Sequence, residues 1–445
     1  MATHQTTVTT QSTQEAKVPT SKTDKVPKRE YRIHHSNHRL PSHLPIIGLG
    51  CSSFSTFFCS EDDNDAAALT VDTIAKDHPV VRDWIETIRH AVLDRGIYLL
   101  DTAPWYGHGT SEKVVGYALD TLLLSGSDDD SNPTRPRTGS LSRSNLIINT
   151  KVGRYEADPL KQFDFSYKCV HTTINSVSRS ILRMNCDYID VLQLHDPEFA
   201  PNITILLNET IPALSECQKR GWAKAIGITG YPLEVQHEIL VKCSEQFDNG
   251  LVFDQSLVYC HSNLHDMSLF NDNCFELTTD SSEKVSFAQF CQEKGINLMC
   301  AAPLSMGLLT NSSPPDWHPA SCALKEACAK AAGLCVSKGV DISSLAMLYC
   351  LSQSKISCTL IGMKDVREVD AAADLAARFQ CVDYNVQDDS ILEQVLTVLE
   401  KETLEQLLDR EHGPFANVWR NGDYRWNGKV EAEKFWRTVD EKMKS

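Results

Sequence analysis

The chain has 445 residues, 42% of them apolar and 23% charged, values that exclude a wholly disordered or collagen-like polymer. Lys and Arg number 43 against 59 Asp and Glu, a formal charge of −16. That balance speaks against a protein that grips nucleic-acid phosphates. It favours an enzyme whose substrate is neutral or locally steered.

Residues 1–40 are rich in Thr, Ser, Lys and His and poor in large apolar side chains, so a disordered N-terminal extension is expected there. From Leu44 onward, short apolar runs alternate with segments of helical period. Pro45–Gly50 reads as a strand, and Val80–Arg95 as a helix stopped by Gly96. Ile97–Leu100 is a strand and Ser111–Leu124 a helix; Asn145–Thr150 a strand and Val170–Met184 a helix. Tyr188–Leu194 is a strand, followed by a helix over Ile205–Arg220 that Gly221 closes. Ala225–Ile228 and Leu233–Cys243 form the fifth pair, and Leu251–Phe253 with Val285–Lys294 the sixth. Ile296–Cys300 precedes a helical region over Ala323–Ser352, and Thr359–Ile361 precedes the helix Val366–Phe379.

Eight strand-then-helix units whose strands are continuous apolar runs predict a parallel sheet with both faces covered. The fold class is α/β, and a (β/α)8 TIM barrel over residues 41–385 fits better than two Rossmann domains, because no strand is followed by G-x-G-x-x-G. Polar inserts stand near 60–77 and 125–144. The tail, 386–445, has helical period and carries Trp419, Trp426 and Trp436, which suggests packing onto the barrel.

No run approaches the roughly 18–20 apolar residues needed to span a bilayer. The first thirty residues lack the apolar stretch of a secretory leader. The 16 Cys include no C-x-x-C and read as reduced core residues. Cys322, Cys328 and Cys335 share a helical segment without a His at ligand spacing, so packing and no metal is expected. The expected compartment is cytoplasmic, with no nucleic-acid or membrane partner; the oligomeric state is open.

The active site of such a barrel lies at the C-terminal ends of its strands. The second strand ends in Asp101 and leads to Tyr106, the third ends in Lys151, and the fourth ends in His195 and Asp196. A phenol titrates near ~10, and a neighbouring ammonium favours its ionised form. A buried Lys needs the counter-charge that Asp101 offers. A neutral His can orient a substrate oxygen. Such a set suits proton transfer at an alcohol or carbonyl oxygen while hydride moves at the attached carbon.

The stretch from Asp101 through Tyr106 to Ser111-Glu112 resembles the D-T-A-x-x-Y-G-x-S-E signature of the aldo-keto reductases, and Lys151 and His195 match that family's other two catalytic positions. The resemblance covers Leu44 to Phe379. It implies a barrel that binds NAD(P)(H) without a Rossmann fold. Tyr106 would then be the general acid/base, Lys151 and Asp101 its tuners, and His195 the orienter of the reacting oxygen. Gly227–Glu234, Tyr259–Asn263, Pro303–Thr310 and Pro315–Ala320 are similar to the aldose 1-dehydrogenase branch, whose members oxidise L-galactose or D-arabinose at C1 to a lactone and feed ascorbate or its five-carbon analogue. The branch implies NAD as cofactor, with NADP possible.

By the same resemblance the carboxamide site holds Thr229, in place of the Ser-Asn of many members, and Gln255 at the sixth strand's end. Ala301 stands where an aromatic often stacks. Ser305 and Gly307 would pass near the pyrophosphate. Gly362, Lys364 and Arg367 start the last helix, where the two cations either grip a 2′-phosphate or are solvated helix-start charges. Trp105, His108 and Asp196 are the candidates to wall a sugar site, with Trp317 as a lid. The alternatives are an NADPH-dependent reductase of aldehydes such as pyridoxal, and a channel-regulating subunit that keeps the barrel.

Overall fold

A computed structural model describes residues 25–30, 39–55, 69–124, 141–156, 158–165, 171–247, 253–271, 273–278, 283–312, 314, 318–384, 386–421 and 428–444. The expected inserts are thus described only from Leu69 and Leu141 onward, and Trp317 and Trp426 lie outside the described residues.

Eight parallel strands close into a barrel in sequence order. They are β1 (Ile47–Gly50), β2 (Leu99–Asp101), β3 (Ile147–Val152), β4 (Ile189–His195), β5 (Ala223–Gly230), β6 (Gln255–Tyr259), β7 (Asn297–Ala301) and β8 (Cys358–Gly362). β3 and β4 are buried along their whole length, so their polar residues as well as their apolar ones are enclosed by protein. Outward residues such as Ile148, Leu192, Ile226 and Val258 join the core beneath the helices. The inward side chains form a second core of Leu44, Leu99, Ile147, Leu257, Met299, Cys358 and Leu360. Along β3 the inward face runs Ile147, Asn149, Lys151, and along β4 Val191, Gln193, His195. The barrel interior is therefore apolar at its floor and titratable at its mouth.

The first barrel helix shows why these elements form. Pro79–Leu93 starts with Pro at its first turn and buries Val81, Trp84, Ile85, Ile88, Ala91 and Val92, the stripe of an amphipathic helix. Gly96, at φ +72°, then turns the chain into β2.

Four placements differ from expectation. The sixth strand is Gln255–Tyr259, not Leu251–Phe253. The region Ala323–Ser352 is two helices, Cys322–Lys338 and Ile342–Leu351, parted where Gly339 adopts φ +70° and Asp341 caps the next helix. The helix after β4 starts at Ile203 and passes through a π segment, Leu206–Thr210. Finally, residues 25–30 of the expected disordered head are packed. Lys28–Glu30 pairs antiparallel with His43–Pro45. Arg29, 3% exposed, donates to the carbonyls of Leu351, Gln353 and Ile356. Leu351 ends the helix Ile342–Leu351 and Gln353 and Ile356 lie in the turn that follows, so one guanidinium serves a helix-end carbonyl and the turn after it.

The tail contains the helices Asp388–Val395, Val398–Leu407, Ala416–Asn421 and Gly428–Lys444. These helices bury Ile391, Leu392, Val395, Leu404, Leu407 and Phe415. Trp419 and Trp436 are each half-buried.

Candidate active site

Lys151 sits at the centre of the barrel mouth with its side chain 2% exposed. Its three ammonium protons are all used: Nζ donates to Asp101 Oδ1 at 2.5 Å, to the Thr102 carbonyl at 2.8 Å and to the Tyr106 hydroxyl at 3.1 Å. The other carboxylate oxygen of Asp101 accepts from Gln193 Nε2 at 2.8 Å. Asp101, Tyr106 and Lys151, drawn from two strand ends and a loop, therefore form one connected group, as their sequence positions predict.

The loop that presents Tyr106 is tightly held. Gly107 has φ +60°, and a Cβ there would lie 2.7 Å from Ser55 Cβ, so the turn needs glycine. Behind it Ser111 Oγ donates to the Cys51 carbonyl at 2.7 Å. Glu112, fully buried, accepts from Thr150 at 2.7 Å and from Arg183 at 2.9 Å. The Ser-Glu end of the signature thus fixes the loop to β3 and its following helix, and does not itself face the mouth group.

The electrostatics correct one expectation. Burial pushes the Tyr106 phenol above its ordinary value, and the opposing pull of Lys151 does not overcome it. The phenol is held protonated near neutrality. For Lys151 burial favours the neutral amine, but Asp101 and Tyr106 together outweigh it and hold the ammonium above its usual range. Burial drives His195 down to about 3, with Lys151 and Arg154 adding to the effect against Asp196. The ring is neutral at physiological pH. It stands edge-on to Tyr106, centroids 6.3 Å apart, and its buried Nδ1 has no partner among the described residues.

Beyond His195 lies a mixed wall. Asp196 takes φ +51° and accepts from Arg154 at 2.7 Å. Arg154 stacks on Trp105 at 4.1 Å, and Trp105 meets His108 edge-on at 5.2 Å. The structure thus brings Trp105, His108 and Asp196 to one side of the mouth. Arg154 links Trp105 to Asp196, and its signal in the sequence is only its place three residues after Lys151. The signal for Gln193 is the period of 2 along β4, which puts it on the face of His195.

The candidate cofactor residues distribute unevenly. Thr229 is buried on β5 and pairs with His195 in the sheet. Gln255 opens β6 and does not end it; its amide lies 3.4 Å from Gln193 Oε1 and accepts from Asn297 at 3.2 Å, one step from Asp101. Ser305, Met306 and Gly307 have φ of +49°, +52° and +101°, a run of left-handed residues after β7. Within this turn the Ser305 N–H donates to the Ala302 carbonyl at 2.8 Å and the Gly307 N–H to the Leu304 carbonyl at 3.1 Å, so the turn is closed on itself. Ser305 Oγ is itself engaged by His265 at 2.8 Å. A Cβ at Gly362 would meet only Gly50 O at 4.0 Å. Lys364 and Arg367 are exposed at the start of the helix Val366–Ala377. A further cavity of about 580 Å³, lined by His265, Tyr349, Arg410 and Trp419, contains none of the four mouth residues.

A phenol, an ammonium, a carboxylate and a neutral imidazole gathered over a (β/α)8 barrel define an oxidoreductase site for C–OH or carbonyl groups. The chain belongs to the aldo/keto reductase family, whose sequence profile matches residues 76–390. Members of that family use nicotinamide cofactors. Among the described residues the buried Nδ1 of His195 and the buried side-chain amide of Asn149 have no partner, and both fit a polar ligand laid across this mouth. The chain is 34% identical to an L-galactose dehydrogenase of Arabidopsis thaliana over 74% of this chain and 82% of that one. It is 30% identical to a D-arabinose 1-dehydrogenase of Saccharomyces cerevisiae over 65% and 76%. Among solved structures an aldo-keto reductase from Bacillus halodurans superposes with a TM-score of 0.53 at 21% identity, covering 86% of this chain and 96% of that one.

Proposed function

We propose that the protein oxidises a neutral aldose at C1 to its lactone, with NAD as the acceptor. The observation that carries the chemistry is the Asp101–Lys151–Tyr106 group facing His195. The names of the relatives point to aldoses as the substrate class. A bound nicotinamide dinucleotide supplies the hydride acceptor. The chain's own residues handle the oxygen and its proton. The neutral His195 donates a hydrogen bond to the sugar oxygen and orients it. Tyr106, as phenolate, takes the anomeric hydroxyl proton, and Lys151 stabilises the phenolate until the proton arrives. Asp101 keeps Lys151 charged, and Gln193 keeps Asp101 in place.

The wall supports a neutral sugar. Arg154 is already paired with Asp196, so a phosphorylated or acidic sugar meets no uncommitted cation from that pair. The last helix supports NAD over NADP. Asp365 accepts from the Glu368 amide at 3.0 Å and from Arg367 at 2.8 Å, and Glu368 accepts from the Lys364 amide at 2.9 Å. Carboxylates thus occupy the donors a 2′-phosphate would need. The test is a panel of L-galactose, D-arabinose and other aldoses with NAD and NADP side by side, read by absorbance of the reduced dinucleotide. Turnover of a neutral aldose with NAD is expected. No aldose turnover, but consumption of NADPH with aldehydes, overturns the reading.

A further inference from the structure

Three of the stretches that resemble the aldose 1-dehydrogenase branch meet at one residue. Tyr259–Asn263 leads into the turn that carries His265, Pro303–Thr310 carries Ser305, and Pro315–Ala320 carries His318. His265 Nε2 lies 2.8 Å from Ser305 Oγ. His318 Nε2 donates to the Ser305 carbonyl at 2.9 Å, its tautomer fixed because Nδ1 accepts from the Ala320 amide at 3.1 Å. Ser305 is fully buried and held at φ +49°, an unfavourable conformation for a residue with a Cβ. Something must hold it there, and two buried histidines grip it from its side chain and its backbone.

His265 is itself held from outside the barrel. Trp419 Nε1 donates to the His265 carbonyl at 3.0 Å. Phe415 packs on the His265 ring at 6.1 Å and on Trp419 at 5.7 Å, and Arg410 covers the indole at 4.2 Å. Within the turn, Asn263 Oδ1 accepts from the amides of His265 and Asp266. The family profile ends at residue 390, so Arg410, Phe415 and Trp419 lie beyond it.

We propose that the C-terminal segment is a positioning element for the cofactor loop: Trp419 holds His265, and His265 holds Ser305, so that Ser305–Gly307 keeps the left-handed backbone with which it lines the dinucleotide. This rests on the reading of that loop as a dinucleotide contact. The tail thereby acts on the cofactor through a chain of two hydrogen bonds. Loss of the indole N–H frees the turn, lets Ser305 relax, and weakens dinucleotide binding without touching Tyr106, Lys151 or His195.

The test uses the full chain with Trp419→Phe, which keeps a ring for Phe415 and Arg410 but removes the N–H. The half-buried indole borders a cavity of about 580 Å³, so a smaller ring is tolerated there. Hydrogen exchange is read at the amides of Gly307, Leu308 and Leu309, which donate within the loop to Leu304 and Ser305 carbonyls. Dinucleotide affinity is read by titration with NADH, and aldose KM in parallel. Exchange at least about tenfold faster at those amides and an NADH Kd raised about fivefold or more, with aldose KM unchanged, is expected. Exchange within twofold of the parent overturns the clamp. Fast exchange with unchanged NADH affinity shows a clamp that does not serve the cofactor, and also overturns the proposal. If the parent chain binds neither NADH nor NADPH, the reading of the loop falls, and the positioning role with it, while exchange alone still decides whether Trp419 holds the turn. Should Trp419→Phe fold poorly, His265→Gln, which keeps a side-chain amide for Ser305, is compared with His265→Ala: recovery of slow exchange in Gln alone is the expected pattern, and equal exchange in both contradicts the clamp.

Discussion

Lys151 Nζ stands 2.5 Å from Asp101 Oδ1, and both side chains are almost wholly buried. An ammonium taken out of water is retained only by a partner of opposite charge, and the pair is the anchor on which the Tyr106 hydroxyl rests. The same pair links the chemistry of the mouth to the amides below it, through Gln193 and Gln255.

Removing one partner strands the other. Lys151→Met leaves the Asp101 carboxylate buried beside Gln193 alone, and Asp101→Asn leaves an ammonium without its counter-ion. Each is expected to lower stability by about 3–5 kcal/mol in denaturant unfolding and to abolish oxidation. The double variant is expected to be more stable than either single one, a coupling that a double-mutant cycle reads directly. Additive losses contradict the pairing.

The raised pKa of Tyr106 fixes the sign of the pH profile. Oxidation needs the phenolate, and burial favours the phenol, so kcat for oxidation is expected to climb as pH rises above neutrality. The reverse reaction needs the phenol and is expected to fall as pH rises. Steady-state rates in both directions across pH 6–10 check this; an oxidation rate that declines above neutrality contradicts it.

Much of this site was legible in the sequence because strands announce their ends. Asp101 and His195 each terminate an apolar run, Lys151 comes near the end of the third strand, and a polar residue at such a place faces the mouth of a barrel. The sixth strand is hidden because Leu251-Val252-Phe253 is more apolar than Ser256-Leu257-Val258, and a short run cannot say which segment enters the sheet. Trp419 and His265 are 154 residues apart, and no period connects them. Arg29 sits in a polar stretch, and its burial follows from distant partners, three carbonyls and the Tyr384 ring, that its neighbours in sequence do not announce. The direction of the Tyr106 shift depends on how much protein surrounds the phenol, which spacing does not encode.

The depressed His195 gives the fold an acid weakness. Its folded pKa is about 3, against an ordinary value near 6.5, so between those pH values the unfolded chain binds a proton that the folded chain refuses. Stability therefore rises with pH through that window and is lost as pH falls through it. From pH 7 to pH 5 the His195 contribution is a loss of about 2 kcal/mol. His195→Asn is expected to lose that much less over the same interval in urea unfolding. Equal acid sensitivity in both proteins contradicts a buried neutral imidazole.

The start of the last helix sets cofactor choice through its acids. Glu368→Gln removes the partner of Lys364 and one negative charge near the expected 2′-hydroxyl. Because these groups are exposed, the gain is modest: the NAD:NADP preference in kcat/KM is expected to shift toward NADP by about two- to tenfold. An unchanged ratio places the discrimination elsewhere.

The central claim is that the C1 hydrogen of a neutral aldose leaves as hydride while Tyr106 receives the hydroxyl proton. The direct measurement is turnover of C1-deuterated L-galactose or D-arabinose with NAD, followed by mass spectrometry of the reduced dinucleotide, for the parent chain and for Tyr106→Phe. The account predicts one deuterium per reduced dinucleotide in the parent and a rate lower by about 10²–10⁴ in the variant, with NADH still bound. Reduced dinucleotide without deuterium, or a variant that turns over as fast as the parent, would contradict it.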